Sequence, residues 1–105
     1  MIDYLPSRLL RPSKLIDVPS AWKGIDAILD ELLTRFNVER KNALEFGVEY
    51  GYSTVALSNF FERVVGVDTF EGDIHAGKHE DNFEQIKQSL SQFSNIELVK
   101  NDFVY

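Results

Sequence analysis

The chain has 105 residues, enough for one small domain. Its 44% hydrophobic and 27% charged residues match a folded soluble protein, and a formal net charge of −6 argues against nucleic acid or an anionic membrane surface as partner. No cysteine is present, which excludes disulfides, thiolate chemistry and cysteine-bound zinc. The N-terminal region shows no secretion signal, and no apolar run reaches membrane-spanning length, so a cytoplasmic location is expected.

Residues 1–19 read as an irregular arm, and residues 20–105 as the domain proper. All three prolines (Pro6, Pro12, Pro19) fall in the arm and discourage helix, while Tyr4, Leu5, Leu9, Leu10, Leu15 and Ile16 are available to pin it to a core. Ser20 is expected to cap a helix from about Ala21 to Phe36. There Trp22, Ile25, Ile28, Leu29, Leu32, Leu33 and Phe36 recur at three- and four-residue steps. On that pattern Trp22 belongs to the core rather than to a ligand. Asn37 is a left-handed stop.

Asn42 to Asp68 organises the rest. Ala43-Leu44-Glu45-Phe46 is a short, mostly apolar strand that halts at Gly47. Gly47 and Gly51 bracket a tight turn, since glycine reaches backbone angles closed to other residues. Ser53 and Thr54 then stand where a helix begins, placed to accept its first unpaired amides. Val64, Val65 and Val67 form a second strand, apolar and β-branched as a strand buried on both faces is. This is a βαβ unit, and such units bind nucleotide-like ligands at the carboxyl ends of their strands. A pyrophosphate site wants closely spaced glycines and no acid. Here Glu49 lies within the turn and Glu45 ends the first strand, and both would repel a pyrophosphate. The acids suit a ligand with positive charge, which points to S-adenosylmethionine over NAD. Its carboxylate would meet the amides and hydroxyl near Ser53, and its cationic end would face Glu45. Asp68 would accept from both ribose hydroxyls, with Thr69 and Phe70 next to it and the Phe70 ring over one face of adenine.

A polar loop follows, from Thr69 to Glu80, holding Gly72, Gly77, His75 and His79. The histidines share one face only in a helix, and Gly77 sits between them, so no metal site is expected. A third helix starts at Asp81 or Asn82, with Phe83, Ile86, Leu90 and Phe93 along one face. Ile96, Leu98 and Val99 begin a third strand that ends at Asn101-Asp102-Phe103.

Glu45-x-Gly47-x-x-x-Gly51-Tyr52-Ser53 resembles the first motif of class I S-adenosylmethionine-dependent methyltransferases. The Gly-Tyr-Ser ending is similar to their small-molecule O-methyltransferases. Val67-Asp68-Thr69-Phe70-Glu71-Gly72-Asp73, followed by His75-Ala76-Gly77, resembles a bacterial subgroup of that family. The likeness runs from about Ala43 to Phe103; it departs at Glu49, where the commonest pattern has glycine. It implies an α/β, Rossmann-like parallel sheet, the first three strands of the family's fold, preceded by an amphipathic helix. The implied cofactor-binding residues are Glu45, Gly47, Gly51, Tyr52, Ser53, Asp68, Thr69, Phe70, Asp102 and Phe103. Asp102 would accept from the adenine amine and Phe103 would lie on the ring, a simple strand-end turn being the other reading of Asp102. The family keeps its catalytic, metal and substrate residues beyond its third strand, so no catalytic residue is named. The expectation is therefore the cofactor-binding N-terminal half of a methyltransferase acting on a small-molecule O or N acceptor, inactive alone. A shortened, non-catalytic module binding adenosyl ligands or a partner is the alternative, and a nicotinamide-binding unit is the third. The first strand would expose an unpaired edge, through which the chain is expected to self-associate.

Overall fold

The computed structural model describes residues 12–71 and 82–101. Three short runs become strands: Asn42–Phe46 (β1), Arg63–Asp68 (β2) and Ile96–Lys100 (β3), the last two rich in Val, Ile and Leu. They form a parallel sheet in the order β1-β2-β3. Parallel neighbours need a crossover, and helices supply it. Tyr52–Ser58 (α2) lies between β1 and β2, and Phe83–Leu90 (α3) between β2 and β3, after an earlier helix Leu29–Arg35 (α1). The arrangement is α/β and compatible with a Rossmann-like fold.

The register places Ala43 and Glu45 level with Val64 and Gly66, and these level with Ile96 and Leu98. Alternation of side chains puts all six on one face. That face carries the core, a cluster of Val48, Val55, Phe70, Ile86 and Leu90. The α3 stripe behaves as its spacing predicts, with Ile86 and Leu90 buried and Phe83 and Phe93 packed against the cluster. The opposite face differs from expectation. Val65 and Val67 are only half-buried, while Leu44 and Phe46 of β1 are 61% and 59% exposed. The packing recorded for α2 and α3 is against the first face, so β2 is not buried on both sides among the described residues. β1 pairs with β2 alone there, as the edge reading expected.

The predicted helix 21–36 is a second correction. Residues 21–24 form a turn, Ile25–Ala27 a single 3-10 turn, and only Leu29–Arg35 is α-helical. Gly24 is the reason: at φ 100° it takes a left-handed conformation that a continuous helix cannot contain. The apolar stripe is reset there, so Trp22 is 61% exposed and Phe36 70% exposed. Ser20 does accept the Trp22 amide at 3.0 Å, but it closes a turn rather than a helix. Asn37 is left-handed, at φ 51°, as read. Of the arm, Ile16 reaches the core, and Lys14 is clasped by Asn59. The Asn59 side chain accepts the Lys14 amide at 3.0 Å and donates to its carbonyl at 2.8 Å.

Gly66 sets how closely the loop after β1 can approach the sheet. A Cβ there would stand 2.6 Å from Val48 Cγ2 and 3.3 Å from Leu98 Cδ2. Gly66→Ala should therefore destabilise the chain by about 1–3 kcal/mol in urea unfolding, as overpacking does. Adding Val48→Ala should relieve part of that loss, with a coupling of at least about 0.5 kcal/mol in the double-mutant cycle.

Candidate functional site

The turn from Gly47 to Gly51 is shaped by three left-handed residues: Gly47 at φ 88°, Glu49 at φ 57° and Gly51 at φ 97°. The Gly51 amide closes it on the Val48 carbonyl at 2.9 Å. Gly51 also admits α3: a Cβ on it would lie 2.8 Å from Leu90 Cδ1. Glycine is thus required at Gly51 both for its backbone angle and for lack of space.

Asp68, at the end of β2, ties the turn down. Its Oδ2 accepts the Val48 amide at 2.8 Å and the Glu49 amide at 2.9 Å. Its Oδ1 accepts the Phe70 amide at 3.1 Å, and Phe70 is itself left-handed at φ 58°. A carboxylate offers about four lone-pair positions. Three are taken, which leaves one on Oδ1 for a ligand hydroxyl rather than the pair expected for both ribose hydroxyls. Phe70 is also corrected. Its ring is 2% exposed and packs on Phe83 with centroids 4.9 Å apart, so it belongs to the core and not over an adenine. Thr69 turns its hydroxyl to the Glu71 amide at 3.4 Å.

Glu45 projects from the end of β1 toward α2. Ser53 donates its hydroxyl proton to Oε2 at 2.6 Å, and Thr54 donates to Oε1. Neither hydroxyl caps α2, whose N-cap is Gly51 with no side-chain bond. The Ser53 hydroxyl proton expected to meet a ligand carboxylate is therefore engaged by Glu45. The ion pairs among the described residues use other acids, so Glu45 has no cationic partner there. Burial raises its carboxyl above the ordinary value of 4.5. The Ser53 and Thr54 bonds oppose this, and the nearby Asp68 charge adds a smaller upward push.

The Tyr52 hydroxyl is engaged within the chain. Tyr52 is buried, and its hydroxyl donates to the Asp26 carboxylate while accepting the Gly24 amide at 3.1 Å. Asp26 is fully buried. The pair fastens the segment before α1 to α2. Nothing in the spacing around Asp26 signals this role, because its neighbours read as a continuous helical stripe.

These contacts frame a cleft of about 250 Å³. Glu45, Gly47 and Ser53 line it beside Trp22, Ile25, Leu29, Phe46 and Leu57. Three predicted site residues thus meet there, with Trp22, which the helical pattern had assigned to the core. Gly47 turns a bare backbone to open space, with no atom within 4 Å of where a Cβ would stand. Asp102, Phe103, His75 and His79 lie outside the described residues. No helix among the described residues is long and apolar enough to cross a membrane. No protein-family model matches the chain, and no curated protein is found to match it.

Two outcomes follow from this geometry. Asp68→Ala removes the acceptor for three amides, all of them beside or at left-handed residues, and should lower unfolding stability by about 1.5–3 kcal/mol in denaturant titration. Glu45 gives a pH signature. The folded chain binds the Glu45 proton more tightly than the unfolded chain does, so this contribution is full below 4.5 and is lost as pH rises through the higher folded value. Glu45→Gln should flatten that falling limb in melts recorded from about pH 4 to about pH 8, and should match or exceed wild-type stability at neutral pH.

Proposed function

We propose that this chain binds S-adenosylmethionine at the carboxyl ends of β1 and β2 and serves a class I methyltransferase acting on a small-molecule oxygen or nitrogen acceptor. The observation that carries this reading is the Glu45 carboxylate, half-buried in the cleft beside Gly47 without a cationic partner among the described residues. A carboxylate withdrawn from water is costly unless a positive group meets it. A pyrophosphate would meet repulsion from Glu45, Glu49 and Asp68, whereas a sulfonium and ammonium would be attracted. Bound adenosylmethionine supplies an electrophilic methyl group on a sulfonium.

The chain's own residues would bind and orient. Glu45 would hold the cationic end, its direction set by the Ser53 and Thr54 hydroxyls. Gly47 would allow close approach of the ligand to the backbone, and the free position on Asp68 Oδ1 would accept one ribose hydroxyl. Positioning of donor and acceptor is the main acceleration open to such a site. A second reading, a module that binds a partner, draws on the exposed Leu44 and Phe46 at the margin of the sheet.

Calorimetry on the full chain tests the proposal. Adenosylmethionine should bind and NAD should bind more weakly, and Glu45→Gln should weaken adenosylmethionine by about 1.5–3 kcal/mol, the worth of a charge-assisted contact. Tighter binding of NAD, or an unchanged affinity in the Glu45 variant, would overturn it. Absence of any adenosyl ligand binding would favour the partner-binding module.

A further inference from the structure

Trp22 lines the same cleft as the Glu45 carboxylate, which has no cationic partner among the described residues, and its placement there is built rather than incidental. Its amide is held by Ser20 at 3.0 Å, and its carbonyl accepts the Ile25 amide at 3.0 Å. Two residues on, the Gly24 amide is bound by the buried Tyr52 hydroxyl, which is bound in turn to Asp26. The segment that carries the indole is thereby moored to α2, the helix whose Ser53 and Thr54 orient Glu45. An indole left 61% exposed over a cleft with a carboxylate in its wall has the chemistry of a receptor for an organic cation.

Resting on the adenosylmethionine reading, we infer that Trp22 makes the cleft discriminate by charge, so that the sulfonium donor is held more tightly than the neutral thioether left after methyl transfer. Glu45 supplies the countercharge and the indole face supplies a polarisable wall that prefers a cation. The donor and the product differ by one methyl group and one positive charge. A purely steric pocket would treat them nearly alike. Trp22 is in this sense a specificity-determining residue that favours exchange of spent product for fresh donor.

The test is calorimetry on the full chain with three probes: adenosylmethionine, S-adenosylhomocysteine, and an analogue carrying a protonated amine in place of the S-methyl group. Wild type should hold both cations more tightly than the thioether. Trp22→Leu should weaken both cations by about five- to thirty-fold and leave the thioether nearly unchanged, and Trp22→Phe should retain most of the preference. Equal weakening of all three probes would show a mere packing wall and overturn the inference, as would an unchanged ratio. Should Trp22→Leu fail to fold, the wild-type ratio and Trp22→Phe decide the matter: equal affinity for cations and thioether in wild type overturns it. Binding of none of the probes overturns the adenosylmethionine reading itself, which keeps the two failures apart.

Discussion

The Asp68 carboxylate is the contact on which the site depends. Two strands that only lie side by side do not define a crevice; the chain leaving the first must be held against the end of the second. Asp68 does this by accepting the Val48 and Glu49 amides on one oxygen and the Phe70 amide on the other. Glu49 and Phe70 are both non-glycine residues in the left-handed region. Such conformations are sparsely populated and persist where surrounding contacts over-determine them. Charge-assisted bonds to their amides are contacts of that kind. The knot also seats Val48 over Gly66, so polar anchoring and apolar packing fix the same loop.

Electrostatics around the loop are lopsided. Burial disfavours the charge on Glu45, and the neighbouring Asp68 adds a smaller push in the same direction. The hydroxyls of Ser53 and Thr54 offset part of it, with neutral donors rather than a cation. A structure built only for stability has little reason to keep such an arrangement, since an apolar residue of similar size would avoid the penalty. A carboxylate with a perturbed affinity for its proton, set in a cleft, marks a candidate functional site.

The sheet is covered unequally. Its inner face carries the core cluster under α2 and α3, and its outer face leaves Leu44 and Phe46 in contact with solvent. The same asymmetry places the cleft. It opens beside β1, the margin of the described sheet, where the segment around Trp22 and Ile25 forms its far wall.

The order of elements between Asn42 and Leu98 was legible in the residues, because the two βα crossovers there are punctuated by glycines and by runs of β-branched residues whose periods are local. The α3 stripe was legible too, since Phe83, Ile86, Leu90 and Phe93 repeat without a break. The same reasoning failed before Asn37, where one left-handed glycine, Gly24, reset a pattern that looked continuous and moved Trp22 from core to cleft. Tertiary structure alone decided which way the polar groups turned. Ser53 and Tyr52 were legible as members of a glycine-turn motif. Whether their hydroxyls met a ligand or another side chain depended on how close Glu45 and Asp26 came, eight and twenty-six residues away. Hydrogen bonds require approach to about 3 Å and alignment. One-dimensional spacing carries neither, so the donors' partners emerged only when the chain folded back on itself.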